Sequence, residues 1–162
     1  MLNVRLLRRV KEKILKHPSH FNMSHWLVQK DPEWDRIMID EAVNPEDLKN
    51  NTCGTVGCIA GWTVAQCGFK KTDFVNTNIR RLASEKLGLT TWAAVVLFLT
   101  DHWPDKLQER YDSVTTARSK ARIAAEAIEW FIEFRKGVEK KLKAGIALDV
   151  YGNEIPSISG SN

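Results

Sequence analysis

Leu6, Val10 and Ile14 recur along residues 2–16 with Leu7 and Leu15 beside them, while Arg5, Arg8, Arg9, Lys11, Lys13 and Lys16 take most other positions. This spacing predicts an amphipathic helix. Pro18 predicts its end, because a proline ring disfavours helical geometry in the residue before it. The run "SHFNMSHWLVQ" crowds Phe21, Met23, Trp26, Leu27 and Val28 together, with Asn22 or Ser24 as a cap, and reads as a second short helix or turn entering the core. Residues 31–50 lose the helical period and contain Pro32 and Pro45; they read as a long connection with an extended piece at Arg36–Ile39.

From Thr55 or Val56 a helix is expected to run to about Cys67, stopped by Gly68. Leu82, Leu87 and Leu89 mark the next helix, Gly88 the turn after it, and Thr90 or Thr91 the cap of another. Between about Ser113 and Lys143 one stripe carries Ala117, Ala121, Ala124, Ile128, Phe131, Val138 and Leu142. A helix of that length extends roughly 45 Å, enough to span a small domain or to protrude towards a partner. Gly145 ends it, and "IALDVYGNEI" alternates around Gly152-Asn153 as a terminal hairpin would. The reading is a mainly α protein: one compact domain over residues 1–145 with about five or six helices, the last one long, and a hairpin or tail over 146–162.

The composition suits such a domain, with 43% apolar and 27% charged residues in 162. No apolar run reaches the roughly 18 to 20 residues that cross a bilayer, and the charged N-terminus lacks a signal core, so a cytoplasmic protein with no membrane partner is expected. Three cysteines without regular spacing read as free thiols in a reducing compartment. The net charge of +4 is segregated: six basic and one acidic side chain give residues 1–16 a charge of +5, and two basic against seven acidic give 31–50 a charge of −5. Residues 70–86 carry +3 (five against two) and 118–143 carry +4 (eight against four). Segregated charge admits an anionic ligand or a protein partner, or segments that offset one another on the surface. "IRRLASEKLGLTTWAAVVLFL" has the outline of a DNA-binding helix-turn-helix, but its second helix offers Trp92, Ala93, Ala94, Val95, Val96, Leu97 and Phe98 where base-reading side chains belong. A helix apolar all round is a core helix, so nucleic acid is not an expected partner.

The stretch "NTCGTVGCIAGWTVAQCG", Asn51–Gly68, holds all three cysteines and four of the nine glycines, and admits four readings. As a metal site it would combine Cys53 and Cys58 with His20 and His25; Cys67 lies nine residues after Cys58, about 900° along a helix and so on the opposite face. As a catalytic site it would use Cys58 near a helix start as nucleophile, with His102 as base and Asp101 or Asp105 as orienter. As an anion cradle it would point the backbone amides of Gly54, Thr55, Val56, Gly57 and Cys58 at a phosphate, with Arg80, Arg81, Lys70 or Lys71 supplying charge and Trp62 or Trp26 stacking on a base. As packing, Gly57, Gly61 and Ala65 form a row of small residues that lets another backbone approach.

"HPSHFNMSHW", "CGTVGCIAGW" and "ASEKLGL" followed by "LF" and "WP" resemble an uncharacterised group of small phage and bacterial proteins, whose hallmark is Cys-Gly-Thr, two residues, then Cys, an aliphatic residue, Ala, Gly and Trp or His. The resemblance covers about residues 10 to 110. It implies a phage accessory protein in the host cytoplasm, of a sort that acts on host machinery by binding, including by sequestering nucleotide signals of host immunity; no catalytic residue comes with it. The functional expectation is a non-enzymatic binding protein, without cofactor, that sequesters a phosphorylated or nucleotide-like molecule at Gly54, Thr55, Val56, Gly57, Cys58, Trp62, Arg80 and Arg81. The alternatives are an inhibitor or adaptor that meets a host protein through the acidic 31–50 or basic 118–143 surface, and a cysteine-dependent enzyme using Cys58 and His102. The long final helix makes the chain a candidate homo-oligomer.

Overall fold

Asn3 opens the first helix, α1 (Val4–Lys16), by accepting the Leu6 amide on its side-chain oxygen at 3.1 Å. Its backbone and side-chain amides donate to the carbonyls of Leu87 and Lys86 at 2.9 and 3.3 Å. One residue therefore satisfies orphan groups at the start of one helix and the end of another. The computed structural model describes residues 1–23, 27–30, 37–38, 55–67, 79–149 and 153–155, with backbone alone at 27–30, 37–38 and 55–56. On α1 the predicted face of Leu6, Leu7, Val10 and Ile14 is buried, whereas Leu15 is exposed. A 3-10 turn, Pro18–His20, follows it.

Strand β1 (Leu27–Lys30) lies between β2 (Ile37–Met38) and β3 (Thr55–Gly57), antiparallel to both. Five further helices follow: α2 (Ile59–Ala65), α3 (Ile79–Leu87), α4 (Thr91–Phe98), α5 (Asp105–Ser113) and α6 (Ala117–Lys143), with a 3-10 turn, Thr100–His102, between α4 and α5. The protein is mainly helical, as the sequence pattern predicts, and buried residues from all six described helices share one core.

Three expectations need correction. Leu27 and Val28 belong to a strand, not to a short helix. The expected helix from Thr55 or Val56 begins only at Ile59, because β-branched Thr55 and Val56 favour the ladder and Cys58, with extended dihedrals, is the N-cap. The long helix starts at Ala117, where the Thr116 hydroxyl oxygen accepts the Ser119 amide at 3.2 Å, while Ser113 ends α5; its 27 residues extend about 40 Å. Nor does α6 protrude along its first half: Ala121, Ile123, Ala124, Ala125, Ala127, Ile128, Phe131 and Ile132 are all buried. Beyond Gly145, Leu148 bridges Glu154. A single bridge does not establish the expected hairpin, whose turn at 150–152 lies outside the described residues.

The C-terminal stops at Gly88 and Gly145 are built alike. Leu89 N–H reaches the Ser84 carbonyl at 2.8 Å and Ile146 N–H the Lys141 carbonyl at 3.1 Å, each across a glycine at positive φ (67° and 77°). This is the Schellman arrangement, which satisfies carbonyls left open at a helix end. At Gly88 there is a second demand, since a Cβ there would fall onto the Met1 carbonyl oxygen. Gly88→Ala is expected to destabilise the fold by about 2 kcal/mol or more, combining left-handed strain with displacement of the N-terminal backbone. Gly137→Ala, inside α6 with no neighbour within 4 Å, is expected to stabilise by about 0.5–1 kcal/mol. Urea unfolding midpoints check both, and equal shifts of the two would contradict this account.

Candidate functional site

Helix α2 is too deeply placed to receive a ligand on its side chains. Every residue from Ile59 to Val64 is buried, and Trp62 is 1% exposed, its Nε1–H donating to the His20 carbonyl at 3.0 Å with the Lys13 ammonium 5.2 Å from the ring centroid. Trp62 is thus a core residue rather than a stacking platform for a base. Thr55, Val56 and Gly57 form strand instead of a cradle: Gly57 pairs with Leu27 on one side and bridges Phe21 on the other, and its carbonyl accepts the Asn22 amide at 3.2 Å. The row of Gly57, Gly61 and Ala65 is broken by the same strand. Gly61 remains buried in α2, which packs chiefly on α3. Gly54, Trp26, Lys70 and Lys71 lie outside the described residues.

Cys58 is 1% exposed. Burial pushes its thiol up to about 11, although the amides of Gly61, Ala60 and Cys58 itself favour the thiolate. Burial wins because a thiolate away from water loses more solvation than a few amides return. His102 sits on the exposed turn after α4, edge-on to Trp92 with ring centroids 5.3 Å apart. A nucleophile must be ionised and reachable, and Cys58 is neither. At pH 8 about one Cys58 in a thousand is a thiolate, so iodoacetamide is expected to leave it unmodified in the native protein and to modify it in urea, while half-buried Cys67 reacts faster in the folded state. Peptide mass spectrometry reads this out, and native labelling of Cys58 within minutes would contradict it.

Of the metal candidates, Cys53 and His25 lie outside the described residues; among those described, no three His, Cys, Asp or Glu side chains stand together as a metal set. His20 instead belongs to a cationic corner. Its ring centroid is 5.9 Å from that of His17, and its buried Nδ1 has no hydrogen-bond partner among the described residues. Burial first, and then the Lys13 charge, lowers its pKa; His17 is lowered by burial, Lys13, Lys16 and His20 in that order. The unfolded chain therefore takes up the proton first as pH falls. The stabilising contribution is complete above the ordinary value of 6.5 and is lost as pH drops through it towards the lower folded value. His20→Gln is expected to flatten the fall in urea midpoint between pH 7.5 and 5; a slope identical to that of the parent protein would remove His20 as the cause.

Two concavities are formed by described residues of the helices. One, about 510 Å³, runs along α1 and α6 past Lys11, Leu15, Arg122 and Ala125. Its carboxylates are already engaged, Glu129 by Lys11 at 2.5 Å and Glu126 by Arg110 at 2.6 Å. The other is a cleft of about 380 Å³ between α3 and α4, walled by Arg80, Arg81, Ser84 and Glu85 from α3 and by Thr91 from α4. Ala94, buried, and Leu89, half-buried, give it an apolar side.

Positions 80, 81, 84 and 85 reach one cleft because residues four apart share a helix face. Arg81 and Glu85 form an ion pair at 3.6 Å, both more than half exposed, which is a loose, solvent-screened contact. Ser84 donates its hydroxyl proton to the Arg80 carbonyl at 2.6 Å, so that proton is not available to a ligand. Thr90, not Thr91, caps α4, taking the Ala93 amide at 3.2 Å, and the exposed Thr91 lines the cleft. Arg80, half-buried, has no carboxylate partner among the described residues.

The structure thus keeps Arg80 and Arg81 together while parting them, as a site, from Thr55–Cys58 and Trp62. Sequence reasoning named the two arginines and missed Ser84, Glu85 and Thr91. The i, i+4 spacing of Arg80 with Ser84 and of Arg81 with Glu85 was the available signal. Among the described residues, no helix is long and apolar enough to cross a membrane. Compared with protein-family models, with curated proteins and with solved structures, the chain matches none.

Proposed function

We propose that this chain is a non-enzymatic binding protein for a small phosphorylated or nucleotide-like anion, held in the α3–α4 cleft. The observation that carries the reading is the half-buried Arg80, without a carboxylate partner among the described residues, in a cleft that also offers the Thr91 hydroxyl and an apolar wall. A guanidinium fork suits phosphate and carboxylate geometry, and about 380 Å³ lies within the range of small-molecule sites. The likeness of Cys53–Trp62 to small phage proteins supports an accessory or counter-defence role in a host cell, in which binding itself, by sequestration, is the activity. The buried, protonated Cys58 favours binding over thiol chemistry. A protein partner would find basic residues of 118–143 exposed along the helix, at Arg118, Arg122, Lys136, Lys140 and Lys143.

Titration with inorganic phosphate, followed by amide chemical shifts, tests the proposal. Perturbations are expected at Ser84, Glu85, Thr91 and Ala94. Arg80→Ala is expected to weaken binding about tenfold or more, since a charge-assisted hydrogen bond contributes about 1.5–3 kcal/mol, with the melting temperature unchanged. Saturable shifts confined to another surface, or no shifts at millimolar phosphate, would reject the cleft as the site.

A further inference from the structure

We infer that the α3–α4 cleft selects its ligand by charge, taking a singly charged phosphodiester in preference to a doubly charged phosphomonoester, with Glu85 as the residue that sets the limit. This rests on the cleft being the ligand site. Two arginines and one glutamate give its described wall a net charge of +1. Glu85 already offsets Arg81 from one helical turn away, and Arg80 carries the charge left over. A monoanion neutralises that charge. A dianion leaves the described wall net negative, with the excess beside Glu85, where like charges repel.

The hydrogen-bonding inventory points the same way. A phosphodiester presents two non-bridging oxygens that share one charge, which matches the two parallel donors of a single guanidinium fork on Arg80. A phosphomonoester presents three oxygens bearing about −1.5 to −2 near neutral pH. The third then faces a wall whose described polar side chains include the Glu85 carboxylate, an acceptor, and Ser84, whose proton is held by the Arg80 carbonyl. Thr91 adds one donor. The second ester arm of a diester, apolar next to the phosphorus, finds Leu89 and Ala94.

Dimethyl phosphate and methyl phosphate separate the two charge states on nearly the same body. At pH 8 and fixed ionic strength, amide-shift titration of the protein is expected to give tighter binding of dimethyl phosphate by about threefold, the scale of one exposed charge interaction. Glu85→Gln, a substitution at an exposed position, is expected to keep the melting temperature and to improve methyl phosphate by about threefold or more, with less effect on dimethyl phosphate, so that the preference is lost or reversed. Tighter binding of methyl phosphate by the parent protein, or an unchanged ratio in Glu85→Gln, would overturn the charge limit while leaving Arg80-dependent binding intact. Binding of neither ester would overturn both the limit and the cleft as an anion site.

Discussion

A buried indole N–H left without an acceptor costs free energy, and the arrangement around α2 depends on where Trp62 finds one. The acceptor is the carbonyl of His20, at the end of the 3-10 turn that Pro18 starts after α1. The bond fixes the chain leaving α1 against α2, and the next residues continue the constraint: Phe21 bridges Gly57 and Asn22 donates to the Gly57 carbonyl. Met23 follows by donating its amide to the Tyr111 hydroxyl at 3.4 Å, which ties the same segment to α5. An unsatisfied N–H at this depth would cost about 1–3 kcal/mol, so the turn at residues 18–20 is part of the core's construction.

The cationic corner follows from that placement. Lys13 lies over the Trp62 ring with its pKa lowered by burial and by Lys16, a cation–π contact that keeps its charge useful next to an apolar group. His20 is held where its carbonyl is needed, whatever suits its imidazole. Its buried Nδ1 and depressed pKa are the electrostatic cost of a backbone requirement, and a metal ligand need not be invoked to explain the position of this histidine.

Period and punctuation made much of the helical frame legible. The α1 stripe, the glycine stops at 88 and 145, and the Thr90 cap are local signals, and each is local in the structure as well. The strands were not legible in the same way. Thr55-Val56-Gly57 is too short to show alternation, and its conformation is decided by Leu27–Gln29, about thirty residues earlier in the chain. Likewise Trp62 looks, in sequence, like an aromatic available for stacking, and only the tertiary arrangement shows that its polar atom is spent on His20. The cleft was half legible: charge made Arg80 and Arg81 visible, whereas Ser84, Glu85 and Thr91 are ordinary surface residues until two helices bring them together.

Glycine and charge therefore exchange roles between sequence and structure. The glycines of residues 51–68 attracted a ligand reading, yet of the two that are described Gly57 is enclosed by strand partners and Gly61 by the core. The glycine that matters to the proposed site is Gly88. It sets the turn from which α3 and α4 diverge, and that turn is braced from outside, by Asn3 on the carbonyls of Lys86 and Leu87 and by the Met1 backbone against Gly88 itself. A cleft between two short helices would ordinarily widen or close with small energy differences. Here the N-terminal backbone is bonded to that turn, and this bracing opposes a change in the angle between the walls carrying Arg80 and Thr91. Preorganisation of this kind lowers the ordering cost of binding, and the proposed anion site at Arg80 would benefit from it.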